Sequence, residues 1–274
     1  MSRISKISPI HKVAPPSPAA RPAPDLADNR DCMACNSELC RLLSISGMNG
    51  IRSARSRRLE RDETLFEEGQ ENCTLGVVQS GYLRKVRVSS DGRRTVLGLV
   101  MPGDIAGELP RRRIGYELEA ASDVEICLFD GQTLRAIMAS DGRVRLSLLQ
   151  LVARQAALMD ELIWQRGALS ARERILAFLV MAARSMPVEP QTDGSLIVTI
   201  DVSRRDWADL SNTSVESISR TMSQLSDKGL VKTIAPGRFW FRNLDVLARM
   251  AGVEHRPGAT APRASDHFPT LKSA

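Results

Sequence analysis

Histidine is nearly missing from this 274-residue chain: His11, His255 and His267 are the only three, and all lie in the terminal stretches. A folded core therefore holds no imidazole for a catalytic triad, a zinc hydrolase or a histidine-ligated haem, which excludes most common enzyme machinery. Long apolar runs are lacking as well. The best candidate, Leu176–Ala183, falls far short of the roughly 20 residues that a membrane helix requires. The start of the chain offers no apolar stretch suited to a secretory signal. These absences predict a cytoplasmic protein that is not an enzyme and has no membrane partner. Cysteine is also sparse, at five residues, and in a reducing compartment five cysteines do not constitute a disulfide framework.

What is present is material for one large or two ordinary domains, with 43% hydrophobic and 26% charged residues. The formal net charge of +6 is compatible with a nucleic-acid partner. Residues 1–31 crowd Pro15, Pro16, Pro18, Pro22 and Pro24 among alanine and serine, a composition that buries too little to offset its ordering entropy. The stretch 253–274 has the same character.

Between about residues 53 and 129 the sequence reads as short strands. Leu75–Gln79, Leu83–Val88, Thr95–Val100 and Val124–Phe129 are rich in Val and Leu, and Gly81, Asp91-Gly92 and Pro102-Gly103 punctuate them. This pattern predicts a compact β domain. The period then changes. Val144, Leu148, Leu151, Gln155, Leu158 and Leu162 recur in steps of four and three, the seam of a helix long enough to pair with a copy of itself. Leu149, Val152, Met159 and Ile163 flank that seam, so the helix can pack on two sides. A second helix follows over Ala171–Ser185, and Leu196–Ile200 reads as a strand.

Ser203–Ser211 and Ser214–Ser226 read as two helices joined by a tight turn at Asn212-Thr213. Leu230–Ile234 and Arg238–Phe241 then form a hairpin around Ala235-Pro236-Gly237. Together they predict a winged helix-turn-helix. In its second helix Val215, Ile218, Met222 and Leu225 form a buried stripe, while Glu216, Ser219 and Arg220 project from another face. The chemistry suits a major groove: an arginine offers two donors to guanine O6 and N7, and a carboxylate accepts from cytosine N4. Thr213 and Glu216 also fit a capping box, which gives Glu216 a purely local role as the alternative.

Val215-Glu216-Ser217-Ile218-Ser219-Arg220 resembles the recognition-helix signature of the CRP/FNR superfamily of bacterial transcription regulators. The resemblance runs from about Ser53 to Gly252 and includes Pro102-Gly103-Asp104, Gly107-Glu108-Leu109 and Ala171-Arg172-Glu173-Arg174. It implies an α+β chain: a β-roll similar to cyclic-nucleotide-binding domains over 51–135, a dimerisation helix over 136–168, and a winged helix-turn-helix over 169–252. By the same resemblance, Glu216, Ser219 and Arg220 read TTGAT half-sites on double-stranded DNA, the protein is a homodimer, and RNA polymerase is a partner. Arg111, Arg112 and Arg113 read as a solvated run or a polymerase-facing surface. Cyclic-nucleotide members carry an Arg-Ser pair about ten residues after the Gly-Glu-Leu; here those places hold Leu118 and Glu119, where the carboxylate would repel a phosphate. No cyclic nucleotide is therefore expected.

Cys32-x2-Cys35-x4-Cys40 falls in a cysteine-rich segment over 32–50 and, with one distant cysteine, supplies four thiolates for a [4Fe-4S] cluster or a zinc ion. The fourth is Cys73 or Cys127. Ile126-Cys127-Leu128-Phe129 is similar to the segment where FNR-type oxygen sensors keep an internal cluster ligand, and this resemblance assigns Cys127. The second gap is shorter than that branch usually shows, although four residues of flexible loop can span a cluster edge. The resemblance favours iron–sulfur over zinc and implies a regulator that binds DNA as a dimer under low oxygen. Nitric oxide, which attacks the same kind of cluster, and a zinc or thiol redox site stay open as alternatives. Asp160 and Glu161 would oppose their copies in a dimer and keep it marginal.

Overall fold

Gly81 reverses the chain between two strands at φ +75°. A Cβ there would lie 1.9 Å from the Asp123 carbonyl oxygen, so only glycine fits this turn. The computed structural model describes residues 38–45, 55–71, 74–108 and 113–253. Helix α1 (Glu38–Ile45) precedes eight strands: β1 (Arg55–Leu59), β2 (Thr64–Phe66), β3 (Thr74–Ser80), β4 (Leu83–Val88), β5 (Arg94–Val100), β6 (Ile105–Ala106), β7 (Glu117–Ala120) and β8 (Val124–Asp130). They form two four-stranded sheets, ordered β1-β8-β3-β6 and β2-β7-β4-β5. Alternation along β8 splits its side chains between two cores. Val124 and Ile126 enter the roll interior with Leu83 and Leu118. Cys127 and Phe129 face the other side, where helices cover them.

Those helices are α1, α2 (Gly131–Ser140) and α3 (Gly142–Ala168). Asp141 ends α2, its backbone N–H donating to the Ile137 carbonyl, and starts α3, its carboxylate accepting from the Arg143 N–H. One residue thus caps both helices and keeps them from merging. The expected boundary at residue 136 falls inside α2, because α2 is a separate element closing the roll.

The predicted seam of α3 lies mostly against its own chain. Val144 and Leu148 are buried with Cys127, and Leu151 packs on the same cluster. Gln155 donates to the Ile105 carbonyl at 2.8 Å, and Leu162 lies over Gly98 of β5. Leu158 is exposed. Of the flanking residues, Leu149, Val152 and Ile163 are open to solvent, with Leu146 and Trp164 beside them, whereas Met159 turns inward over Gly98 of β5. The roll takes the seam, whose first members also pack with α1 and α2.

The remaining elements are α4 (Ala171–Ser185), β9 (Val188–Pro190), β10 (Leu196–Thr199), α5 (Arg204–Leu210), α6 (Val215–Asp227), β11 (Val231–Ala235), β12 (Arg238–Phe241) and α7 (Leu244–Ala251). A full capping box between Ser170 and Glu173 starts α4, and Pro187 follows its end. Strands order as β11-β12-β10-β9. Trp207 fixes the centre of this half, stacked on Phe178 at 4.9 Å and edge-on to Phe239 at 6.4 Å. Tyr82, Val86, Val96 and Ala121 of the roll join the same core. Among the described residues no helix is long and apolar enough to cross a membrane.

Candidate nucleic-acid interface and cysteine site

Ser203 caps α5 and Ser214 caps α6, each accepting from the backbone N–H three residues on. Between them Asn212 takes φ +46°, a left-handed turn that asparagine tolerates. The expected Thr213–Glu216 capping box does not form, because the cap is one residue later and Ser217 is its partner, at 3.2 Å. Glu216 still engages the helix start, through its own backbone N–H and the Ser214 hydroxyl rather than through Thr213. Helix α6 buries Ile218, Thr221, Met222 and Leu225. Val215, expected in that stripe, is 38% exposed at the first turn, and Thr221 lies in the buried face instead.

Glu216, Ser219 and Arg220 are all exposed on the outer side of α6. The Glu216 carboxyl is held below the usual carboxylate range, first by its own backbone N–H and then by the Ser214 hydroxyl, with Arg220 adding to the effect. It remains an anionic acceptor near a guanidinium donor, the pair needed to read a C·G step. Arg220 reaches only to the Ser217 hydroxyl at 3.4 Å, which leaves most of its fork for a base.

Arg174, of the Ala171-Arg172-Glu173-Arg174 stretch, braces the turn between α5 and α6. From α4 its Nε donates to the Ser211 carbonyl at 2.7 Å, and its Nη2 to the Asn212 carbonyl at 3.0 Å. It holds the turn that sets α6 against α5. An arginine just past a capping serine is a common surface residue, so only the tertiary contact reveals this clamp. On the wing, Lys232 lies over the Trp240 ring and Arg238 pairs with Glu189 at 2.6 Å.

Of the expected thiol ligands, Cys40 and Cys127 are described, and both are buried in one cluster with Leu39, Leu43, Val77, Phe129 and Leu134. Gln79 Nε2 lies 3.9 Å from Cys40 Sγ. Cys32, Cys35 and Cys73 lie outside the described residues. Cys40 belongs to helix α1 rather than to a loop, so the helical turn from Glu38 takes up part of the second gap. Burial among such side chains favours the neutral thiol, and a thiolate there would need a soft metal to share its charge; the two described sulfurs are compatible with either state.

The roll interior differs from the expectation at one place. Leu118 is fully buried there. Glu119 points outward and is neutralised by Arg84 at 2.6 Å and Arg94 at 3.0 Å, so it does not act as a repelling charge inside the roll. Arg113 is exposed and 3.9 Å from Glu71, while Arg111 and Arg112 lie outside the described residues.

Residues 56–141 match the family described as cyclic nucleotide-binding domain, and residues 173–250 match the Crp-like helix-turn-helix domain. Transcriptional regulator LdrP of Thermus thermophilus is 32% identical, over 72% of this chain and 96% of its own length. Nitrogen fixation regulation protein FixK of Azorhizobium caulinodans is 28% identical, over 69% of this chain and 76% of its own. The solved structure of FixK2 from Bradyrhizobium japonicum superposes with a TM-score of 0.67 at 24% identity, covering 74% of this chain and 99% of that one.

Proposed function

Because the chain belongs to the CRP/FNR family of transcription regulators and carries that family's DNA-binding domain, we propose that it is an oxygen-responsive regulator. In this reading Cys32, Cys35, Cys40 and Cys127 hold a [4Fe-4S] cluster, and a dimer binds TTGAT half-sites under low oxygen. The observation that carries the proposal is the shared burial of Cys40 and Cys127 with Val144 and Leu148 of α3. Thiol chemistry at this place bears directly on the long helix.

When bound, the cluster supplies lability towards oxygen, and towards nitric oxide by the same chemistry. The chain's residues do the rest. Cys40 and Cys127 tie α1 to β8, and α1 packs against α3. Val77 pairs with Cys127 on one side and with Ile105 on the other, and the Ile105 carbonyl accepts from Gln155 of α3. Loosening α1 therefore frees the inner face of α3 and alters its set on the roll. The outer stripe of Leu149, Val152 and Ile163 meets its copy in the dimer, with exposed Asp160 and Glu161 keeping that contact weak. Two recognition helices then reach half-sites one helical turn apart, with Arg220 and Glu216 on base edges and Ser219 on a thymine edge or phosphate. RNA polymerase is the partner recruited at such sites. Burial of Leu118 fills the roll interior and supports a regulator that takes no cyclic nucleotide.

Purification under nitrogen, with iron, sulfide and zinc analysis and Mössbauer spectra, tests the reading. Four irons per chain and bleaching in air are expected. A colourless, iron-free protein that binds its DNA equally well in air sinks the cluster, and one zinc per chain establishes the alternative site.

A further inference from the structure

Beyond the cysteine site, an ionic cluster joins the two halves of the chain. Arg84 on β4 spreads its guanidinium over three carboxylates: Asp62 at 2.6 Å, Glu119 at 2.6 Å and Asp206 of α5 at 3.0 Å. Arg94 on β5 bonds Glu119 at 3.0 Å and Asp209 of α5 at 2.7 Å, and lies 3.5 Å from Asp206. Arg84 is 6% exposed and Asp206 1%. Within the roll, Arg84 and Arg94 balance Asp62 and Glu119; α5 then brings two further carboxylates to the same guanidinium groups.

We infer that this cluster is the joint that orients the recognition helix, with Arg84 and Arg94 as positioning residues for DNA binding. Buried ion pairs return little net stability, because desolvation offsets most of the Coulomb gain; what a forked guanidinium supplies is fixed geometry. Asp206 is aimed by its own helix, its carboxylate accepting from the Ser203 hydroxyl at 2.7 Å and its N–H donating back to that hydroxyl at 3.0 Å. The same carboxylate thus braces the capping hydroxyl of Ser203 and docks α5. Around the charges Val86 and Val96 share the core of the DNA-binding half. The covalent link from α3 to α4 is only Leu169 and Ser170. From α5 the geometry passes to α6 through the turn clamped by Arg174. One sheet of the roll and a helix far later in the sequence are therefore locked in one orientation by two arginines.

The inference rests on DNA binding by α6 and on nothing at the cysteines. Its test uses the full chain kept under nitrogen, with Arg94→Gln and Asp209→Asn at the rim of the cluster and Arg94→Lys as the conservative rescue. The probe is the duplex that the native protein selects from a randomised pool, together with versions lengthened by one base pair between half-sites. Arg94→Gln is expected to weaken binding to the selected duplex about tenfold and to lose most of the discrimination against the lengthened one, while Arg94→Lys recovers much of both. Amide hydrogen exchange is expected to rise in α5 and β5 and to stay unchanged in α4 and β12. Unchanged spacing discrimination or unchanged exchange in α5 for both Arg94→Gln and Asp209→Asn overturns the joint. If the native protein selects no duplex, the sequence-specific reading of DNA fails, and the exchange data alone decide the joint.

Discussion

The two working regions of this molecule place their chemistry on opposite sides of the surface. On α6 the proposed base-reading residues, Glu216, Ser219 and Arg220, stand in solvent on a helix held from behind by Ile218, Met222 and Leu225. At the roll, Cys40 and Cys127 are sealed under three helices in an apolar cluster. A surface reader can lose a side chain and keep its fold, because its contacts are made with a partner. A buried site is part of the core, so its chemistry and the packing of α3 are the same event. On the proposed reading this separates the two tasks: the cysteine cluster packs against α3 itself, whereas the exposed face of α6 is free to meet DNA.

The comparison breaks if buried and exposed substitutions behave alike. The largest effect is expected for Cys127→Ser, which removes a proposed ligand and should abolish iron incorporation, read by metal analysis of protein made under nitrogen. The folded monomer is expected to survive, since serine is close to cysteine in size. Next comes Leu149→Asp on the outer stripe of α3. An isologous contact counts the change twice, and losing two leucine burials costs about 3 kcal/mol, a weakening of dimerisation of roughly a hundredfold measured by sedimentation. Iron content should not change. Arg220→Ala is expected to cost about 1–3 kcal/mol of discrimination at one base pair, seen as reduced preference for the selected duplex over a single-base variant. Melting temperature and oligomeric state should stay as in the native protein.

Much of the scaffold is legible in the sequence. Leu83–Val88, Ala171–Ser185 and Arg238–Phe241 coincide with β4, α4 and β12, because branched residues between glycine turns, or a serine cap and a following proline, are local signals. The exposure of Glu216, Ser219 and Arg220 is legible for the same reason: helical spacing alone puts them off the apolar stripe. The inner and outer faces of α3 are not. Leu148 and Leu149 are equivalent by period, and only the position of β3, β8 and α1 decides which is buried. Glu119 likewise reads as a charge beside a ligand until Arg84 and Arg94, distant in sequence, are seen to neutralise it. The cap at Ser214 displaces the one at Thr213 by a single residue, a choice made by the turn at Asn212 rather than by side-chain type.

Leu169 and Ser170, the whole connection between α3 and α4, have one further consequence. Leu169 closes one helix through its backbone N–H to Gln165, and Ser170 opens the next through its hydroxyl. Two extended residues reach about 7 Å, so this tether has no slack to absorb movement. A shift of the long helix arrives at the DNA-reading half as a change of angle rather than of distance. In the proposed dimer such a change of angle would set the phase of the two recognition helices along the double helix, so a promoter would test whether both face the same side of it.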